Sequence, residues 1–257
     1  MNDDQLLRYS RQIMLPQVDV AGQEKLLAAR VLIIGGTGGI GRALAERYAS
    51  LGSDVVITSR DAGRAASTAA EIGPNVRGIA LDIAEPENIA GMLADVGRID
   101  RLLIVAIERD SNTVRDYDIA KARRAVTVKL IGYTEVVHVM LDRFTKDASV
   151  VIFGGLAGER PYPGSTTVTM VNGAVRSMIK TMAVELAPIR VNAIHPGIIG
   201  DTPAWSDKPE ALAAVRARTP GGRLATTEDV VDAVKFLFNN KGVNGVNLVV
   251  DGGWMLQ

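Results

Sequence analysis

Residues Arg30–Ser50 read RVLIIGGTGGIGRALAERYAS. The run opens on branched apolar residues, passes through five glycines and ends in a helix-like pattern. A strand that feeds a glycine turn and then a helix N-terminus is a phosphate-binding arrangement. Glycines let the backbone approach a pyrophosphate, and the helix points free N–H groups and its positive dipole end at the anion. Here the turn has the form G-x-x-x-G-x-G, from Gly35 through Thr37, Gly39 and Ile40 to Gly41. The consecutive apolar residues Val31–Ile34 predict a strand buried on both faces. Ile40, Leu44, Tyr48 and Leu51 fall on one face of the following helix.

Strands and helices alternate from there to the C-terminus. Strands are expected at Asp54–Thr58, Val76–Leu81, Asp100–Ile107, Ala148–Phe153, Arg190–Ile194 and Val246–Val250. Helices are expected at Ala62–Ile72, Pro86–Val96, within Tyr117–Phe144, at Thr167–Ala187, Pro209–Arg218 and Thr227–Phe238. Leu130, Thr134, Val137 and Leu141 form one stripe of the first long helix, and Val171, Val175, Met178, Met182 and Leu186 face inward from the second. This alternation predicts an α/β fold: a doubly wound, seven-stranded parallel sheet of Rossmann type in a single domain, with ligand at the carboxyl ends of the strands. The wide loop Pro196–Pro209 is either a mobile lid or a plain surface connection.

Composition narrows the function. The chain has 257 residues, 47% apolar and 23% charged, and its formal net charge is zero, so nothing suggests nucleic acid or a membrane surface as a partner. It has no cysteine and only two histidines, His138 and His195, which argues against a disulfide or a metal site. No membrane span or signal segment is legible, so a cytoplasmic protein is the expectation.

Further site residues follow from position. Ser59 and Arg60 close the second strand, where an acid usually meets a ribose 2′-hydroxyl. A serine and an arginine suit a 2′-phosphate instead, which points to NADP(H), with NAD(H) the alternative. Asp82, followed by Ile83, stands after the third strand. It could accept from an adenine amino group, cap the next helix, or do both.

Residues 31–257 resemble the short-chain dehydrogenase/reductase family. The resemblance is carried by GGTGGIG, Asp82-Ile83, RVNAIHPG with Thr202 following, and the ending GVNGVNLVVDGG. It implies that Pro196, Gly197 and Thr202 contact the nicotinamide end of the cofactor. It also implies a homo-oligomer, a tetramer or dimer, packed through the two long helices and the C-terminal strand. Residues 1–30 form a separate helical arm, with an amphipathic helix expected over Gln5–Ile13 and another turn or two over Gln23–Ala29. This arm resembles the start of the adenylyltransferases of molybdopterin and thiamin biosynthesis. That resemblance implies that Arg11 of RYSRQI reaches a nucleotide of a partner subunit. An arm that simply docks is the alternative.

The family's reaction uses a serine, a tyrosine, a lysine and an asparagine, and this chain departs from it at all four positions. They fall on Gly155, Val168, Asn172 and Lys129 respectively. Valine has no proton to give. Two readings therefore stay open. In one, an oxidoreductase with a rebuilt site uses Lys129 as acid or electrostatic stabiliser, with Asn172 as its hydrogen-bond partner. Tyr162, His195, Thr167 and Thr169 are the other polar candidates. In the other, the fold holds a dinucleotide and performs no hydride transfer. A partnership with a sulfur-carrier or adenylation pathway, suggested by the arm, ranks after both.

Overall fold

The computed structural model describes residues 3–8, 10, 29–108, 110–205 and 207–257. Helix α1 covers Asp3–Arg8. Tyr9, Arg11, Ile13 and residues 23–28, on which much of the arm's reading rests, lie outside the described residues.

Strand β1 (Arg30–Ile34) runs into α2 (Gly39–Ser50), followed by β2 (Asp54–Ser59), α3 (Ala62–Ile72) and β3 (Val76–Ala80). A short α4 (Ile89–Met92) leads to β4 (Ile99–Ile104). Then come α5 (Ile119–Val126), a π-helical turn (Thr127–Gly132) and α6 (Tyr133–Val139). Strand β5 (Phe144–Phe153), α7 (Thr166–Glu185), β6 (Arg190–Pro196), α8 (Pro209–Arg218), α9 (Thr227–Asn239) and β7 (Asn247–Val250) complete the chain. The seven strands form one sheet in the order β3-β2-β1-β4-β5-β6-β7, every pair parallel. The order reverses between β1 and β4, which opens a crevice at the carboxyl ends of these strands.

Alternation along β1 divides its side chains between the two layers of core. Leu32 and Ile34 pack with Leu102, Ile104 and Val150 under Val136, Val175 and Ile179. Val31 and Ile33 pack on the other face with Leu44, Tyr48 and Val234. Leu32, Ile33 and Leu102 are wholly buried, so trimming any of them to alanine costs about 2–5 kcal/mol. Several helix starts are capped as their sequences suggest. Asp61 accepts from the Arg64 N–H at 2.6 Å, and Thr226 and Asp229 form a capping box on α9. No described helix is long and apolar enough to cross a membrane.

Three sequence expectations need correction. The helix expected over Pro86–Val96 is a 3₁₀ turn at Pro86–Asn88 followed by one turn of α-helix, Ile89–Met92. Gly91 weakens it, and the Arg143 guanidinium takes the carbonyls of Leu93 and Val96. Strand β4 stops at Ile104 rather than Ile107, because the N–H groups of Val105 and Ala106 both turn onto the Ile34 carbonyl, at 3.0 and 2.9 Å. The stripe Leu130, Thr134, Val137, Leu141 is buried only in part: Val137 is in the core and Leu130 packs against it, but Thr134 and Leu141 are exposed. The π-helical turn inserts one residue, so the buried positions run Ala122, Ala125, Val128/Lys129, Gly132/Tyr133, Val136/Val137, Met140.

Candidate functional site

A cleft of about 820 Å³ opens over the crevice between β1 and β4. Its floor at one end is the glycine turn. Gly35 has φ +91°, and a Cβ there would stand 2.8 Å from the Ala106 backbone. Gly41 is tighter: its Cβ would meet the Gly35 carbonyl oxygen at 2.2 Å. Only glycine fits either position. Gly39, at φ +50°, has nothing within 4 Å of where a Cβ would point. Thr58 anchors the turn from β2, its hydroxyl accepting from the Gly35 N–H at 3.1 Å and its carbonyl from the Gly36 N–H at 3.2 Å. No side chain caps α2, and its first turn carries no acid, so the helix N-terminus is available to an anion. A cradle of this shape fits a pyrophosphate.

The β2 side of the cleft is built from charges. Arg60 is two-thirds exposed and lies 3.7 Å from Glu108. Glu108 takes the Arg124 guanidinium on both oxygens at 2.9 Å, and Arg124 reaches on to Asp82 at 3.2 Å. A chain of alternating charge, Arg60–Glu108–Arg124–Asp82, thus spans the tops of β2, β4, α5 and β3. Asp82 also accepts from the Ala84 N–H at 2.9 Å, closing the turn after β3. Asp82 does not cap the next helix, since the 3₁₀ turn that follows begins after Glu85 with no side-chain cap; Asp82 and Ile83 both line the cleft. Ser59 accepts from the Asp61 N–H at 3.3 Å. Arg64, on the first turn of α3, lines the cleft beside Arg60 and bonds the Thr37 carbonyl at 3.4 Å.

The other end of the cleft lies over β4, β5 and β6. Lys129, on the π-helical turn, is buried, and its ammonium reaches the Gly154 carbonyl at 3.4 Å. It also sits 5.4 Å from the centre of the Tyr133 ring, one helical turn on. The Tyr133 hydroxyl donates to the Ala106 carbonyl at 2.6 Å, and burial pushes its pKa up, so this phenol is not a substitute acid. Asn172 is buried on α7 against Gly155, where a Cβ would stand 2.7 Å from the Asn172 amide nitrogen. Lys129 and Asn172 therefore meet the same Gly154–Gly155 segment from two different helices. Val168 lines the wall beside them.

The remaining polar candidates divide clearly. His195 is fully buried beneath the two glycines. Its Nδ1 accepts from the Gly155 N–H at 3.1 Å and its Nε2–H donates to Asn247 at 2.8 Å. Asn247 in turn donates to the Arg176 carbonyl, which assigns the neutral tautomer. Burial, helped by the charge of Arg176, lowers the His195 pKa. Thr167 takes the Asn112 amide at 3.2 Å, and Thr169 bonds Ser165 at 2.9 Å. Neither lines the cleft, whereas Tyr162 stands at its rim. Pro196, Gly197 and Thr202 line the cleft, and the Thr202 hydroxyl donates to the Ile199 carbonyl at 2.9 Å. The loop they begin is tied down: Ile199 bridges to Ala225, and Asp201 accepts from the Thr227 N–H at 2.9 Å. Asp251 packs on Gly197 and holds the C-terminal turn through the N–H groups of Gly253 and Met255.

The family follows from the whole: a glycine cradle on β1, a sheet of this order, and α7 leaning over the ends of β5 and β6. A family model described as enoyl-(acyl carrier protein) reductase matches residues 35–255. The chain belongs to the short-chain dehydrogenase/reductase family. This is a family of oxidoreductases with an NAD(P)-binding Rossmann fold. The chain is 30% identical to the 3-oxoacyl-[acyl-carrier-protein] reductase FabG of Haemophilus influenzae, over 88% of this chain and 98% of that one. It is also 30% identical to the L-xylulose reductase of Bos taurus, over 90% and 98%. Among solved structures, 3-ketoacyl-(acyl-carrier-protein) reductase from Brucella melitensis, complexed with NADH, superposes with a TM-score of 0.78. The two are 28% identical over 88% of this chain and 98% of that chain.

Sequence reading missed several short-chain dehydrogenase cleft residues. Arg64 was findable as a second base just after Arg60. Glu108 and Arg124 are distant in sequence and meet only through the fold. Arg160 and Trp254 line the opposite end of the cleft from Arg60. They are brought together by the return of the C-terminus, and no local pattern announces it.

Proposed function

We propose that the chain is an NADP(H)-dependent oxidoreductase with a rebuilt site, in which Lys129 does the work of the absent tyrosine. The residues that would hold the cofactor are Gly35, Thr37, Gly39, Ile40 and Gly41 at the pyrophosphate, Ser59 and Arg60 at the ribose phosphate, Asp82 and Ile83 at the adenine, and Pro196, Gly197 and Thr202 at the nicotinamide. Arg64 adds a second cation beside Arg60, which supports the 2′-phosphate and hence NADP(H) over NAD(H). Bound there, the nicotinamide supplies or accepts the hydride.

One observation carries the catalytic part: a buried ammonium whose Nζ lies at the Gly154 carbonyl, on the floor of the cleft. In a reduction, Lys129 stabilises the oxygen that gains negative charge and gives it a proton. Water entering the cleft returns that proton to the amine. The Gly154 carbonyl and the Tyr133 ring hold the ammonium in place. Asn172 is the neighbour that keeps the floor polar where the family has a lysine. Two of the relatives are named as reductases, which supports the reductive direction.

The test begins with calorimetric titration of NADPH and NADH. Binding of neither at millimolar cofactor would sink the reading. Given binding, oxidation of NADPH against a panel of carbonyl compounds is followed. Lys129→Met should lower kcat by about 100-fold or more with the NADPH affinity unchanged. Equal turnover in that variant removes Lys129 from the reaction. A second reading, a dinucleotide-binding protein without hydride transfer, is favoured by Val168 at the tyrosine position. Tight NADPH binding with no turnover of any carbonyl would establish it. We also read the chain as a homo-oligomer, tetramer or dimer, because Ile131, Met170 and Val184 are exposed on the helices beside β5. Light scattering on the purified protein tests this, and a monomer overturns it.

A further inference from the structure

The charges lining the cleft are not mixed evenly. Its two acids, Asp82 and Glu108, both belong to the β2–β3 side. Among the described residues, the charged groups that line the end over β5 and β6 are Lys129 and Arg160, with no carboxylate. Four aromatic side chains line that end: Phe153 at the end of β5, Tyr162, Trp205 and Trp254.

Arg160 is built into place rather than left in solvent. Its guanidinium lies 3.9 Å from the centre of the Trp254 ring, and its Nη1 donates to the Trp254 carbonyl. Its backbone N–H bonds the Leu156 carbonyl at 2.8 Å, which fixes the start of the side chain. An arginine has five N–H donors, and this contact uses one. No carboxylate of the described residues pairs with Arg160. A guanidinium keeps its edge donors in one plane, and a planar carboxylate matches that edge with two parallel hydrogen bonds. A guanidinium on the wall of a partly desolvated cleft favours an anion electrostatically.

We propose that the substrate end of the cleft takes a carboxylate carried on a flat apolar body. Arg160 reads the carboxylate against Trp254, and the apolar body lies among Tyr162, Trp205 and Val168. This rests on the reading of that end as the place where substrate meets the nicotinamide. It assigns Arg160 to specificity, with no part in the chemistry.

The test uses two probes of one shape, naphthalene-2-carboxylate and naphthalene-2-carboxamide, titrated into the full chain by calorimetry with and without saturating NADPH. The carboxylate should bind about 10- to 100-fold more tightly than the amide. Arg160→Met, which keeps an unbranched stem over Trp254, should bring the two probes level while NADPH affinity stays unchanged. Arg160→Lys keeps the charge and should retain part of the preference for the carboxylate, which guards against reading a folding defect as lost recognition. Equal binding of the two probes to the wild-type chain overturns the proposal. So does an undiminished preference in Arg160→Met. If NADPH fails to bind but the carboxylate preference survives and depends on Arg160, the anion site stands and the NADP(H) reading falls.

Discussion

Asn172 occupies the space that a side chain at Gly155 would need: a Cβ on residue 155 would stand 2.7 Å from the Asn172 amide nitrogen. The two departures from the family's site are thus one packing arrangement. Gly155→Ser alone should destabilise the fold by about 1–3 kcal/mol, because the buried amide has little room to retreat. Adding Asn172→Ala opens the space, so the double variant should be less destabilised than the sum of the singles. Urea unfolding of the four chains measures the coupling. Additive effects would mean that the contact does not govern the pair.

Glu108 pairs with the Arg60 guanidinium at 3.7 Å, so it competes with a 2′-phosphate for that cation. Arg60→Ala should weaken NADPH binding by about 3- to 10-fold and leave NADH nearly unchanged, as fits an exposed arginine. Glu108→Gln should act in the opposite direction, tightening NADPH by a few-fold by releasing Arg60. Titrations of both cofactors at one fixed ionic strength decide this, and equal losses of NADPH and NADH in Arg60→Ala would remove the phosphate role.

Gly41 has the least room of the cradle's residues. Gly41→Ala forces a methyl against the Gly35 carbonyl, so the turn must shift. Affinity for either cofactor should fall by at least about 10-fold, and the melting temperature should fall with it. Gly39→Ala meets open space but needs φ +50°, so it should cost less stability than Gly41→Ala. A reversed order in thermal unfolding would contradict this account of the cradle.

His195 ties stability to pH. Its native pKa is lowered by burial, so between that value and the unfolded value of about 6.5 the unfolded chain binds a proton that the native chain refuses. Stability is therefore full above pH 6.5 and is lost as pH falls through the window below it, at up to about 1.4 kcal/mol per pH unit. His195→Gln can still accept from the Gly155 N–H and donate to Asn247. It should be less stable at neutral pH but show a flatter profile between pH 7 and 5. Parallel profiles for the two chains would exclude His195 as the source.

Much of the fold is legible in the sequence because it rests on local signals. Consecutive apolar residues marked the buried strands, and glycines marked the turn on β1. What was not legible depended on contacts between distant segments. Pro86–Val96 has helical composition, but a side chain from Arg143 ends the helix early. The end of β4 was set by the Ile34 carbonyl, which no pattern within β4 can reveal. At the site, residues such as Gly35, Arg60, Asp82 and Gly197 could be placed at the cleft from position, because a Rossmann strand end is a fixed place. Glu108, Arg160 and Trp254 could not, since each matters through a partner from elsewhere in the chain. His195 was readable as a polar candidate, but its role as a buried tie between β5, β6 and β7 needed its partners Gly155 and Asn247.

The π-helical turn at Thr127–Gly132 has a further consequence. One extra residue in a helix rotates everything beyond it by about 100°. The stretch before the turn and the stretch after it therefore obey different clocks, and Lys129 sits where they change over. Deleting a single residue there would restore ordinary α-helical spacing without altering any side chain's chemistry. Lys129 and Tyr133 would then no longer share the bearing that brings one to the cleft floor and the other to the Ala106 carbonyl. The aim of this charge is carried by chain length as much as by residue identity, so an indel could silence or restore it where substitutions leave the lysine in place.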